Sequence, residues 1–141
     1  MPRPPLGYVL DDQIGFVLRQ AQQRHTTLFA AEMIEGLTTT QWAALAKLRE
    51  CGACSQNHLG RLTAMDAATI KGVIDRLTAR GFTAARADPA DARRLLVDLT
   101  DEGAALYDRA VPIAQAITEK TLERLDEEER AMLMGLLRRL T

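Results

Sequence analysis

Apolar residues recur along this chain at spacings that switch from helical to alternating and back. Ile14, Leu18, Ala21, His25 and Leu28 share one face of a helix expected from Leu10 to about Ile34. Thr38-Thr39-Thr40-Gln41 then reads as a capping box, Thr38 accepting from the backbone and Gln41 reaching back. The helix it opens turns Trp42, Leu45 and Leu48 inward and stops around Cys51-Gly52. Ser55 suits the N-cap of a short helix that buries Leu59 and Leu62, and Thr63 and Asp66 can cap across the turn that follows. Between Asp66 and Arg80 the stripe Ile70, Val73, Ile74 and Leu77 marks the buried side of another helix. Its opposite side centres on Ala68, Gly72, Asp75 and Ala79, flanked by Thr69, Lys71 and Arg76. Small residues in the middle with cations at the edges suit a helix that lies deep in a major groove.

Gly81 follows as the left-handed terminator of that helix. Phe82–Arg86 and Leu95–Leu99 read as two short strands, the second alternating Leu95, Val97 and Leu99 inward. The stretch Asp88-Pro89-Ala90-Asp91-Ala92-Arg93-Arg94 between them is turn-forming and presents two arginines from a hairpin tip. Thr100 starts a long helix carrying Leu106, Val111, Ile113, Ala114 and Ile117, with a kink expected at Pro112. Asp126-Glu127-Glu128-Glu129 suits the positive end of a last helix, whose leucine face is Leu133, Leu136, Leu137 and Leu140. The first and last helices are both amphipathic. Their apolar faces are covered either within the chain or by a second copy.

These segments resemble the MarR (multiple antibiotic resistance regulator) family. The resemblance is carried by Asn57-His58-Leu59-Gly60-Arg61-Leu62-Thr63, Asp66-Ala67-Ala68-Thr69-Ile70, Ile74-Asp75-Arg76-Leu77 and Arg80-Gly81. Asp88-Pro89-x-Asp91-x-Arg93 and Leu99-Thr100-x-x-Gly103 extend it, so that the strong motifs cover roughly a third of the chain. It implies a mainly α, winged helix-turn-helix fold with a two-stranded wing and long N- and C-terminal dimerisation helices. The DNA-binding lobe is expected over 37–103, with 1–36 and 104–141 forming the dimerisation region. The implied protein is a homodimeric transcriptional regulator, usually a repressor released from double-stranded DNA by a small ligand or by oxidation. By the same resemblance Ala68, Thr69, Lys71 and Gly72 face base edges, and Arg76 lies nearer the backbone. Arg86 and Arg94 contact DNA from the wing, and Arg93, oriented by Asp91, enters the minor groove. Asp75 is expected to organise arginines. Ala85 and Ala92 stand where many members carry a cation, which implies a weaker wing-to-phosphate attraction.

Charge changes the picture only when divided. The 141 residues sum to a net charge of −1, but residues 55–94 hold seven Lys/Arg against four Asp/Glu and residues 95–141 hold six against ten. DNA senses the local patch within a Debye length of about 10 Å. The positive balance coincides with the groove-helix pattern. The length suits one hydrophobic core. No apolar run approaches the ~20 residues that span a bilayer, and no signal-peptide pattern is present, so a cytoplasmic location is expected. Met1–Pro5 reads as a short extended arm.

Candidate chemistry beyond DNA is sparse. No paired metal-binding histidines, nucleophile elbow or phosphate-cradling glycine loop is present, so neither catalysis nor a cofactor or metal is expected. Cys51-x-x-Cys54 reads first as a pair of small, semi-buried residues; a thiol-sensing role, with the Ser55 helix start lowering the Cys54 pKa, is the alternative. His25 is either a satisfied histidine of the core or interface, or a ligand contact. Family members bind effectors between the dimerisation helices and the DNA-binding lobe, and Arg24, His25 and Trp42 are the candidates to line such a cleft. Aliphatic walls with one or two cations suit an aromatic acid or an acyl group, including one carried on coenzyme A. A winged-helix module that binds only protein is a further alternative.

Overall fold

The computed structural model describes residues 2 and 7–141; the arm expected over Met1–Pro5 lies outside them, Pro2 apart. Among the described residues a short 3-10 turn (Leu10–Asp12) precedes six α-helices and one antiparallel hairpin, in the order α1 (Ile14–Glu32), α2 (Thr39–Cys51), α3 (Gln56–Leu62), α4 (Ala67–Ala79), β1 (Thr83–Asp88), β2 (Asp91–Leu99), α5 (Asp101–Thr121) and α6 (Glu127–Arg138), so the first α-helix begins at Ile14 and not at Leu10. This is the winged helix-turn-helix arrangement that the periodicities and motifs predict. The described residues group into two compact units, one within Met1–Glu32 and Gln115–Thr141, the other Met33–Ala114.

The second unit holds most of the core. Leu45, Leu48, Leu59, Ile70, Leu77 and Leu106 are fully buried, with Ala44, Val73, Ile74, Val97 and Ala110 around them. Helix termini are closed by the expected side chains. Thr38 and Gln41 complete a reciprocal box at α2, Ser55 accepts from the His58 amide at α3, and Asp66 accepts from the Thr69 amide at α4. Thr63 departs from expectation. Its hydroxyl turns back to donate to the Leu59 carbonyl of α3 at 2.7 Å rather than capping α4.

The turn between α3 and α4 is tight for two reasons. A side-chain carbon on Gly60 would sit 3.1 Å from Ile70 Cγ2 and 3.2 Å from the Met65 carbonyl, so glycine permits the close crossing. Ala64 adopts φ +55°, a left-handed position ordinarily given to glycine. The Ala64 and Met65 amides donate to the Arg61 and Gly60 carbonyls, closing α3 in a Schellman motif. Helix α4 ends the same way, with Gly81 at φ +83° and the Gly81 and Phe82 amides donating to Thr78 and Leu77.

The wing differs from the expected hairpin. Its strands are longer, and only Pro89 and Ala90 connect them. Ala87 faces Leu95 whereas Asp88 faces Asp91, so Ala92, Arg93 and Arg94 are extra residues that bulge from β2. Leu95 shares the face of Val97 but is not buried. It lines an open cleft with Ile74, Thr78 and Val97 and is 65% exposed there, whereas Val97 nearer the base is buried. Cys54 adds an isolated antiparallel bridge at the sheet base, its amide donating to the Val97 carbonyl at 3.1 Å and its carbonyl accepting from the Val97 amide at 2.8 Å.

Thr100 joins the wing to α5. Its hydroxyl donates to the Gly81 carbonyl at 2.6 Å and accepts from the Gly103 amide at 3.0 Å, while its amide donates to the Phe82 carbonyl at 3.1 Å. Gly103 packs directly against that Phe82 carbonyl, with no room for a side chain. Helix α5 then runs continuously through Pro112. In the first unit, Phe29 and Ile117 are buried, and α6 contributes no buried residue. Asp126 and Glu129 form a capping box at α6 that charge patterning alone had not indicated.

Gly103→Ala is expected to destabilise the fold by about 1–3 kcal/mol, the range for overpacking that forces backbone movement. Urea unfolding followed by circular dichroism measures it; an unchanged midpoint would contradict the tight Phe82 contact.

Candidate nucleic-acid interface

Burial of Ile70, Val73, Ile74 and Leu77 leaves the other face of α4 to solvent. Ala68, Thr69, Lys71, Asp75, Arg76 and Ala79 are exposed there, and Gly72 is half-exposed among them. The face is therefore as the spacing predicts. Asp75 does not hold an arginine. It takes Lys71 instead, Nζ to Oδ2 2.7 Å one helical turn away, the geometry that i,i+4 spacing favours.

The wing arginines are exposed and loosely held. Arg93 is 92% exposed, and its Nε donates to Asp91 Oδ1 at 3.3 Å, an oxygen that also accepts from the Arg93 amide at 3.0 Å. Asp91 thus sets the direction of the Arg93 side chain. Asp88 stabilises the turn by accepting from the Ala90 amide at 2.8 Å. Arg86 lies 3.6 Å from Asp98 on the neighbouring strand. Arg94 is exposed in the bulge, without an ion-pair partner among the described residues. All five cations, Lys71, Arg76, Arg86, Arg93 and Arg94, belong to the one unit Met33–Ala114.

The three expected effector contacts are distributed between the units. Arg24 and His25 lie in the first. Arg24 caps the end of α5, donating to the Thr121 carbonyl at 2.6 Å, the Lys120 carbonyl at 3.0 Å and Glu123 Oε1 at 3.2 Å. A cation on carbonyls of a last helical turn is favourable for the macrodipole, and these bonds occupy much of the guanidinium. His25 Nδ1 is 2.9 Å from the Thr121 hydroxyl, whose one proton is directed to the Ile117 carbonyl at 2.8 Å. His25 therefore donates from Nδ1, which leaves Nε2 as an acceptor in the neutral ring. Trp42 lies in the second unit, half-buried, its ring stacked on Tyr107 at 5.2 Å with Arg49 over the far ring.

The Cys54 thiol departs from the expectation of a lowered pKa. Burial, then the neighbouring Cys51 and Asp98, holds the Cys54 thiol above its ordinary pKa. Partial burial and the nearby Asp98 outweigh the α3 helix start. Among the described residues no three metal-ligating side chains gather into a site, and no helix is long and apolar enough to cross a membrane.

Sequence reasoning missed Glu35. Backbone φ of +58° at Glu35 and +61° at Gly36 turns the carboxylate toward both Arg80, at 3.6 Å, and Arg109, at 3.4 Å. Arg80 also covers the Phe82 ring at 5.0 Å. The C-terminal end of α4 is thereby tied to α5. A glutamate at positive φ leaves no signature in the sequence; only Gly36 beside it hints at a sharp turn.

Comparison with known proteins agrees with this geometry. The sequence profile of the MarR family matches residues 37–95. The HTH-type transcriptional repressor NicR of Pseudomonas putida is 40% identical over 134 residues, covering 94% of this chain and 85% of its own. Among solved structures, a "probable transcriptional regulator" from Pseudomonas aeruginosa has a TM-score of 0.92 at 55% identity, over 94% of this chain and 100% of that one. Bordetella bronchiseptica BpsR, whose DNA binding is regulated by 6-hydroxynicotinic acid, has a TM-score of 0.90 at 42% identity, over 94% of this chain and 96% of its own.

The Asp66 cap yields a pH test. Hydrogen bonds from Thr69, the backbone amide first, hold the Asp66 carboxyl below the usual carboxylate range. A lowered folded-state pKa contributes stability above the unfolded value that is lost as pH falls through the folded one. Asp66→Ala is expected to melt below wild type at neutral pH, with the gap narrowing below about pH 4. A gap independent of pH in thermal melts would show that the carboxylate charge is not what caps α4.

Proposed function

Because this chain belongs to the MarR family of transcriptional regulators, we propose that it works as a homodimer that represses transcription from a pseudo-palindromic operator and leaves when a small aromatic carboxylate binds. The observation that carries this reading is the two-sided α4, sealed on one face and presenting small and cationic residues on the other. A helix so displayed, beside an arginine-bearing wing, suits a major groove with its flanking minor groove. Ala68, Thr69, Lys71 and Gly72 face base edges in this scheme, and Arg86, Arg93 and Arg94 serve the wing.

Exposed apolar residues support pairing. Tyr8, Val9, Leu10, Ile14, Val17 and Leu18 are exposed toward the N-terminus, and Met132, Leu133, Met134, Leu136 and Leu140 in α6 and its end. Large apolar residues exposed in such number are ordinarily covered by a partner. A second copy gives a two-fold arrangement in which two α4 helices meet successive grooves about 34 Å apart.

Chemistry and relatives together support the effector class. NicR is a repressor, and BpsR responds to a hydroxylated pyridine carboxylate. Such a ligand needs an aromatic surface, a hydrogen-bonding group and a cation. Arg24 and the Nε2 of His25 in the first unit, and Trp42 in the second, are each proposed as contacts, Arg24 the most constrained by its existing bonds. Release then follows from preferential binding of effector to a state whose two α4 helices are misaligned, and is limited by that differential affinity.

Light scattering on the purified protein is expected to give twice the chain mass, and Leu136→Asp to shift it toward one. A monomeric wild type would contradict the operator geometry. In gel-shift titrations on DNA upstream of its own coding sequence, wild type is expected to bind with strong salt dependence. Arg93→Ala should weaken that binding by about 1–3 kcal/mol. Added 6-hydroxynicotinic acid should release wild type, and His25→Ala or Trp42→Ala should need more of it. Salt-insensitive or absent DNA binding would instead favour a protein-only module.

A further inference from the structure

The exposed face of α4 contains one cation whose donors are uncommitted. Lys71 is held by Asp75 at 2.7 Å. Arg80 is held by Glu35 and lies over Phe82. Arg76 has neither hydrogen-bond nor ion-pair partner among the described residues, although it is the nearest neighbour of Gly72. A side-chain carbon built on Gly72 would begin 3.2 Å from a terminal nitrogen of Arg76. The Arg76 side chain therefore runs back along the helix, the direction helical side chains favour, and its guanidinium lies over the bare backbone of Gly72.

By spacing alone, the Arg76 Cα sits at the margin of the exposed sector, where a phosphate contact is expected. The observed path carries the charged group from margin to centre. Ala68 and Ala79 add only methyl groups to that centre, and Asp75, its remaining member, is bound to Lys71 at 2.7 Å. We infer that Arg76 is a base-reading residue of this helix, its planar fork meeting the O6 and N7 edge of a guanine, with Gly72 supplying the clearance. The inference rests on the operator-binding reading above. Five fixed donors match that edge in two parallel bonds, which an ammonium cannot reproduce. Asp75 assists by engaging Lys71 on the opposite margin, so that one cation and not two occupies the middle of the face.

The test uses full-length protein and a pool of duplexes with randomised positions, followed by anisotropy titrations on the selected duplex. Wild type is expected to fix at least one guanine in each half-site. Arg76→Ala should bind DNA still, yet lose its preference for that guanine by about tenfold or more, the scale of one bidentate base contact. Replacing the guanine with 7-deazaguanine, which removes N7, should weaken wild type and leave Arg76→Ala unchanged. Gly72→Ala should lose the same preference with Arg76 present, while its thermal melt shows the helix intact. Equal weakening on every sequence by Arg76→Ala, with the salt slope reduced by about one, would make Arg76 a phosphate contact and overturn the inference alone. Guanine preference that survives either substitution would also overturn it. A wild type that selects no sequence would overturn it together with the operator-binding reading.

Discussion

Everything outward-facing in the lobe depends on how α4 is sealed on its inner side. Ile70, Val73, Ile74 and Leu77 recur at a spacing that permits a single buried stripe. Each contributes about 1.5–3 kcal/mol on burial, so rotating the helix by even one residue would expose part of that total. Gly60 removes the remaining freedom by letting α3 cross within van der Waals contact of Ile70. The presented face is consequently the complement of the packed one. Its chemistry can vary without disturbing the core, because none of Ala68, Thr69, Lys71 or Arg76 is buried.

A second constraint orients the wing. Thr100, Gly81, Phe82 and Gly103 meet in one small junction of backbone bonds, and Cys54 secures the sheet base through Val97. The hairpin is thus rigid where it leaves the helices and progressively solvated toward Pro89-Ala90. Rigidity at the base aims the tip; exposure at the tip leaves Arg93 and Arg94 available. Asp91 bridges the two conditions, giving Arg93 a direction through two hydrogen bonds to one oxygen while leaving it almost wholly in water.

Much of this was legible in the chain. The capping residues Thr38, Gln41, Ser55 and Asp66 act where expected, as does Gly81, because N-caps and left-handed termini are local chemistry. The α4 stripe was legible because periodicity reports burial directly. Leu95 misled for the same reason: alternation marks a strand face, but only tertiary packing decides how far along the strand that face is covered. The bulge at Ala92–Arg94 and the bridge from Cys54 arise from pairing register and were invisible locally. Ala64 and Glu35 at positive φ carry residues that ordinarily avoid it, so their turns were unreadable. Thr63 could bond in either direction, and the closing of α3 decided it. At the site, the identity of the exposed residues was legible and the direction of long side chains was not. Arg76 reaches a place its Cα does not suggest.

Charge pairing explains how a chain of net charge −1 can present a basic surface without becoming an indiscriminate polyanion binder. Lys71–Asp75, Arg86–Asp98 and Arg93–Asp91 are all solvent-exposed pairs, a class that stabilises by about 0–1 kcal/mol. Such pairs hold a cation in a defined direction, yet exchanging the carboxylate for a phosphate costs little. Each retained carboxylate also repels a phosphate that approaches in the wrong register. Generic attraction is lowered more than attraction to a duplex whose phosphates fall beside the cations. In the operator complex proposed above, specificity gains from acidic residues placed within the basic surface, and two of the three, Asp75 and Asp91, lie inside the stretch 55–94 that still holds the positive balance of the sequence.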